Sequence, residues 1–378
     1  MDSSDRAHGA RAPALGFSSD NIAGVSPEVI EAIVASNAGQ ASPYGADDIT
    51  ARVEHKLSEI FEREVDVFLV PTGTAANALC LSTMTPPWGN IYCHPASHIN
   101  NDECGAPEFY TNGAKLVAVG GQSARMDAAS LCSAARVKAG DVHSTQPSCA
   151  SITQATEEGG VYTLDEIQAL GDVCKASSIK LHMDGSRFAN ALVSLGCSPA
   201  EMTWKTGVHA LSLGATKNGV LAAEAIVLFD ASLASEMGYR RKRAGHLFSK
   251  MRFLSAQIDA YLTNDLWLRN ARQANDAAQR LTRGLAGLSG VEVLSTTEAN
   301  IVFCRLPSMV IQTLLEAGFR FYHDRWEQNV VRFVTSFSTT VEDVDNLLAQ
   351  VRRSADTYQS DNRWQAVKVG GVSPIHSR

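Results

Sequence analysis

The strongest constraint on how this chain can fold is an alternation. Short apolar runs of strand length recur at 65–70, 116–119, 149–152, 179–183, 208–213 and 225–229, mostly separated by segments of helical period. Strands alternating with helices predict a largely parallel sheet with helices on both faces, because parallel neighbours need a crossover between them. Upstream, Ser26-Pro27 starts a helix, and Ile49, Val53, Leu57, Ile60 and Phe61 form an apolar stripe at helical spacing. After Phe229 the pattern changes. A basic helical stretch covers 231–285, followed by strand candidates at 291–294, 301–306 and 330–335 around a helix near 308–317, and a last helix at 341–353. This predicts a smaller α+β lobe joined to the first by a long helix.

The expected division is a flexible tail at 1–15, a large domain with an N-terminal arm at 16–258, a small C-terminal domain at 259–353 and a flexible tail at 354–378. With 378 residues, 45% of them apolar, the chain can fill two such cores. The formal charge of −7 is spread along the chain, which argues against a nucleic-acid surface. No apolar run is long enough for a membrane span, and the first residues lack the apolar segment of a secretory signal. The eight scattered cysteines read as reduced thiols of a cytoplasmic protein.

Two residues at the ends of strand candidates suggest the chemistry. Asp184 in HMDGSRFANA follows the run at 179–183, and Lys217 in SLGATKNG follows the run at 208–213. A carboxylate and an amine so placed suit pyridoxal phosphate: the amine forms a Schiff base with the aldehyde, and the carboxylate keeps the pyridine nitrogen protonated. A solvated ion pair is the competing reading of the pair taken alone. In PTGTAAN, Gly73, Thr74 and Asn77 lie between a strand and a helix, where a helix N-terminus favours an anion. No GxGxxG follows a strand and no GK[ST] ends this loop, which disfavours a dinucleotide or a nucleotide P-loop. In SHINNDECGAPEF, His98 could stack on an aromatic cofactor and Glu103 could orient a neighbour. Cys93, His94, His98 and Cys104 have no common zinc spacing, so no metal is expected.

In this order, FSSDNIAG, SPYGADD, PTGTAAN, SHINNDECGAPEF, SITQATEEGGVYTLDEI, HMDGSRFANA, SLGATKNGVLAAEA, RRKRAGHLFSKMRF and VRFVTSF resemble the low-specificity L-threonine aldolases. The resemblance runs from about Phe17 to Arg353. It implies pyridoxal-phosphate fold type I, with a mostly parallel seven-stranded sheet in the large domain. It also implies Lys217 as the Schiff-base lysine, Asp184 as the partner of the pyridine nitrogen, and His98 stacked on the ring, with Gly73 and Thr74 on the phosphate loop. Arg187, Arg332 and Ser19 would hold the substrate carboxylate. Tyr44 would reach the site from a neighbouring subunit of a homodimer or homotetramer, and the run Arg240–Arg243 could meet a phosphate across that interface.

The resemblance implies retro-aldol cleavage of L-threonine, L-allo-threonine and related β-hydroxy-α-amino acids, phenylserine among the candidates, to glycine and an aldehyde. Other reactions on the same scaffold (β-elimination, transamination, serine hydroxymethyl transfer) and a non-catalytic regulatory protein are the alternatives. One departure stands out. Where many relatives carry an ENTH-type segment with a histidine, this chain reads ITQATEEGG, with Glu157 near that place. The base for the β-hydroxyl is open among His98, His143, Glu157 and an ordered water, with His143 placed first for its imidazole.

Overall fold

The computed structural model describes residues 16–369, with side chains described to residue 356. The expected tail at 1–15 lies outside these residues. Seven strands form one sheet: β1 (Asp66–Val70), β2 (Gly89–Cys93), β3 (Lys115–Ala118), β4 (Gln146–Thr153), β5 (Lys180–Gly185), β6 (Ala210–Leu213) and β7 (Glu224–Leu228), in the order β1-β7-β6-β5-β4-β2-β3. Strands β3, β2, β4, β5 and β6 are mutually parallel. Only β7 runs against its neighbours β6 and β1. The mostly parallel seven-stranded sheet is therefore as expected. Strand β2 escaped the sequence reading because its apolar run is only Ile91 to Cys93, preceded by Gly89 and Asn90, although every residue of it is buried.

The apolar runs are continuous because β5, β6 and β7 are buried almost throughout. Helices cover both faces. On one side the helix Gly73–Met84 is buried along nearly its whole length. On the other, Phe61, Phe188, Tyr261 and Trp267 knit the helices to the sheet through ring contacts.

A second sheet of four strands, β8 (Glu292–Val293), β9 (Ile301–Arg305), β10 (Tyr322–His323) and β11 (Val330–Val334), is antiparallel in the order β10-β11-β9-β8. It encloses its own core, built from Val302, Cys304, Val331, Phe333, Leu347 and Leu281. Phe17 joins that core, and its backbone carbonyl accepts from Val334 N–H.

The expected long helix at 231–285 is three helices, Ala234–Arg243, Arg252–Leu262 and Leu266–Leu285. Gly245 at φ +81° and the pair Asn264 and Asp265 at +52° and +55° fall in the two breaks. The last helix of the three spans both cores, with Trp267 and Ala271 in the larger and Leu281 and Leu285 in the smaller. The final helix does not stop at 353, and residues 370–378 of the expected tail lie outside the described residues. It runs Val341–Val369.

Candidate active site

Because β1, β2, β4, β5 and β6 are parallel, their carboxyl ends open on one side of the sheet, where ligands of such sheets bind. Gly73 follows β1, His98 follows β2, Glu157 follows β4, Asp184 closes β5 and Lys217 follows β6. Residues far apart in sequence therefore converge.

A cavity of about 660 Å³ opens there, lined among others by Ser19, His98, Glu157, Arg187, Lys217 and Arg332. Six of the residues singled out in the sequence share this one space. His143 does not. It is exposed in the turn before β4, at the amino end of an eight-residue strand, roughly 25 Å of strand from the cavity end. The leading candidate for the base is thus placed away from the site. Its imidazole type is right, but the strand that follows it runs toward the site and leaves it at the opposite edge. Tyr44, half exposed at φ +60°, lies away from the cavity, with the Lys242 ammonium 4.9 Å from its ring centroid.

One buried network organises the floor. Asn77 donates through both hydrogens of its amide, to Asp184 Oδ2 (3.0 Å) and to Glu103 Oε1 (2.8 Å). The same Glu103 oxygen lies 2.8 Å from His98 Nδ1, so His98 is oriented, with no hydrogen-bond partner at its Nε2 among the described residues. Asp184 Oδ1 accepts from Ser186 N–H at 3.0 Å. Burial pushes the Glu103 carboxyl up, and the Glu103 hydrogen bond pulls the His98 imidazole up from its ordinary value.

Arg187 is buried and gripped along one edge. Its Nε donates to Asp20 Oδ2 at 2.8 Å and its Nη2 to Asp20 Oδ1 at 3.1 Å. Its Nη1 has no hydrogen-bond partner among the described residues. Arg332, on β11, stands with its guanidinium 5.1 Å from the Tyr322 ring centroid and 5.4 Å from that of Trp326. Its Nε is likewise buried without a partner among the described residues. Burial, then repulsion from Arg187, push the Arg332 guanidinium down from its ordinary value. Two guanidiniums lining one cavity, each with an unused donor, favour a carboxylate.

Pyridoxal 5'-phosphate fits these residues. Asp184 is a buried carboxylate without an ion-pair partner among the described residues, which a protonated ring nitrogen would complete. A Cβ on Gly73 would meet nothing within 4 Å, so the N-terminus of the helix Gly73–Met84 faces open space where a phosphate can approach. Thr72, rather than Thr74, caps that helix, accepting from Ala75 N–H at 3.1 Å. Among the described residues no cluster of His, Cys, Asp and Glu could hold a metal ion.

The sequence reading missed Asp20, Asn300, Tyr322 and Trp326, and gave Asn77 no partner. Asp20 stands beside the expected Ser19, but nothing in its spacing ties it to a residue 167 positions away.

The β-eliminating lyase family model matches residues 16–307. A low-specificity L-threonine aldolase of a Pseudomonas species is 42% identical over 336 residues, covering 89% of this chain and 96% of that protein. Its counterpart from Pseudomonas aeruginosa matches to the same extent. The solved Leishmania major threonine aldolase superposes with a TM-score of 0.84 at 25% identity, over 90% of this chain and 99% of the other.

Proposed function

The chain belongs to the low-specificity L-threonine aldolases of the β-eliminating lyase family, and on that premise we propose that it cleaves L-threonine and related L-β-hydroxy-α-amino acids to glycine and an aldehyde. The observation that carries the reading is that Arg187, Arg332 and Lys217 line one cavity. When bound, pyridoxal phosphate supplies the electron sink that makes carbon–carbon cleavage next to an amino group possible. Lys217 and Asp184 would hold it at opposite ends, His98 would lie against its ring, and Gly73 and Thr74 would receive its phosphate.

The remaining work falls to the chain's own side chains. Arg187 and Arg332 bind the substrate carboxylate, with Ser19 beside them. That grip fixes which bond of the α-carbon is presented for cleavage, a matter of orientation more than of binding strength. His98 takes the β-hydroxyl proton at Nε2, since Glu103 occupies Nδ1. Glu157, whose Oε1 is buried without a partner among the described residues, is the second group able to hold that proton. Phenylserine is a candidate substrate because Tyr322 and Trp326 add apolar surface to the cavity.

The protein works as a homodimer or homotetramer, which the exposed Phe109 and Tyr239 (75% and 78% accessible) beside Arg240 and Arg243 support. Sedimentation of the purified protein tests this. Eight free thiols support a cytoplasmic location, and among the described residues no helix is long and apolar enough to cross a membrane.

The functional test is a panel of L-threonine, L-allo-threonine and both phenylserine diastereomers, assayed for glycine and aldehyde. Ammonia with a keto acid in their place would sink the cleavage reading. Lys217→Ala should abolish both turnover and the visible absorbance of the bound cofactor.

A further inference from the structure

Glu224 is a buried carboxylate that none of the steps above uses. It opens β7, opposite Val70 of β1, and only 6% of its surface is accessible. Its Oε2 accepts from Ala215 N–H at 2.7 Å and its Oε1 from Thr216 N–H at 3.4 Å. These are the two residues immediately before Lys217. The residue after it is fixed as well: Asn218 donates to Tyr261 Oη and to the Trp267 carbonyl, each at 2.8 Å, and its own carbonyl accepts from Asn270 at 2.8 Å. Lys217 therefore sits in a short helical turn braced on both sides, by neutral groups downstream and by a carboxylate upstream.

We propose that Glu224 is a positioning residue for Lys217, clamping the two preceding amides while setting a buried negative charge beside the turn that carries the amine. The inference rests on the reading of Lys217 as the cofactor lysine. A carboxylate suits the place because both its oxygens accept, so one group satisfies two adjacent buried N–H donors. A glutamine at this position turns an –NH₂ toward one of those donors and removes the charge.

Among the described residues, the ionisable groups that interact with Glu224 are Lys217 on the braced turn and Tyr261 on the helix Arg252–Leu262. Burial pushes the Tyr261 phenol well up from its ordinary value, so it stays neutral across the working range and Lys217 is the positive group that Glu224 faces. Burial likewise pushes the Glu224 carboxyl up to about 7, against the lowering pull of its Thr216 and Ala215 contacts and of the Lys217 charge. The brace is therefore strongest above neutrality and weakens as the carboxylate takes a proton.

The test compares the unaltered holoenzyme with Glu224→Gln, each loaded with pyridoxal phosphate. Removing the negative charge disfavours the protonated form of the Lys217 nitrogen. The pH midpoint of the bound cofactor's visible absorbance change is then expected to fall by about half a unit or more, with several-fold faster cofactor loss on dilution. An unmoved midpoint in a folded, loaded variant overturns the proposal. Should Glu224→Gln not accumulate as folded protein, hydrogen exchange on the unaltered holoenzyme decides. Protection of the amides at 215 and 216, corrected for intrinsic rate, is expected to fall as pH drops through about 7, and flat protection across that range overturns the proposal. A visible band that survives Lys217→Ala would overturn the Lys217 reading itself, so the two failures are separable.

Discussion

Arg187 and Asp20 meet side-on in a bidentate pair buried from solvent, 2.8 and 3.1 Å at its two contacts. Asn300 adds a third hydrogen bond to the same carboxylate at 3.1 Å. Burial alone would raise the Asp20 carboxyl, but Arg187, Lys217 and Asn300 outweigh it and hold it below the usual carboxylate range. A guanidinium locked along one edge cannot swing, which fixes the place of Arg187 in the cavity wall. Asp20→Asn leaves that charge buried without its counter-ion, so unfolding should become easier by about 3–5 kcal/mol near neutral pH. The sign with pH follows from the lowered carboxyl: its contribution is present above the unfolded-state value and lost as pH falls through the folded one. Denaturant titrations of the two proteins should therefore converge in acid.

Arg332→Lys keeps the positive charge but loses the planar fork and its place between Tyr322 and Trp326. One charge-assisted hydrogen bond is worth about 1.5–3 kcal/mol. We expect kcat/KM for L-threonine to fall roughly ten- to a hundredfold, mostly through KM, while the cofactor's absorbance is unchanged. Equal kinetics in the two proteins would remove Arg332 from the carboxylate site.

The proton chemistry has its own signature. A base must be unprotonated, and the Glu103 hydrogen bond raises the His98 imidazole from its ordinary value. The acid limb of kcat/KM should then lie above the usual histidine midpoint, and Glu103→Gln should move it downward. His98→Ala should lower kcat by about 10²- to 10⁴-fold, whereas His143→Ala should leave it within about twofold, since that side chain is exposed before the amino end of β4.

These contrasts show what a sequence can disclose. The parallel sheet was legible because buried parallel strands are continuous apolar runs, and the placement of Asp184 and Lys217 at strand ends was legible from the same runs. Strand β2 was not, since three apolar residues carry too little pattern. The breaks at Gly245 and at Asn264–Asp265 were hidden within a stretch of continuous helical propensity. Partnerships were the least visible. Asp20 with Arg187, Asn77 with Asp184, and Glu224 with the Lys217 turn each join distant segments, and pairings made by tertiary folding leave no local spacing to read.

Gly214 follows β6 where two backbone segments nearly touch. A Cβ there would lie 2.5 Å from the Ser186 carbonyl oxygen and 2.7 Å from that of Gly185. Neither can yield without moving the strand end that carries Asp184. Gly214→Ala should cost about 1–3 kcal/mol in stability and should weaken cofactor binding as well, because the Lys217 turn begins two residues later. A calorimetric scan paired with a cofactor titration reads both. Lost stability with intact cofactor affinity would mean that the turn relaxes independently of the strand.

His182 lies two residues before Asp184 on the same face of β5, fully buried between the Ser151 hydroxyl at 2.9 Å and the Ser212 hydroxyl at 3.0 Å. Burial holds its imidazole down to about 4, against the opposing pull of Asp184. Its folded-state value is depressed, so between the unfolded-state value and about 4 the unfolded chain binds the proton that the folded one refuses. Stability should therefore fall as pH drops through that window, by up to about 3 kcal/mol from this residue alone. His182→Gln keeps the two hydroxyls partnered and removes the titration. Its stability should decline less steeply than that of the unaltered protein between pH ~6.5 and ~4, and parallel curves would show that acid lability arises elsewhere.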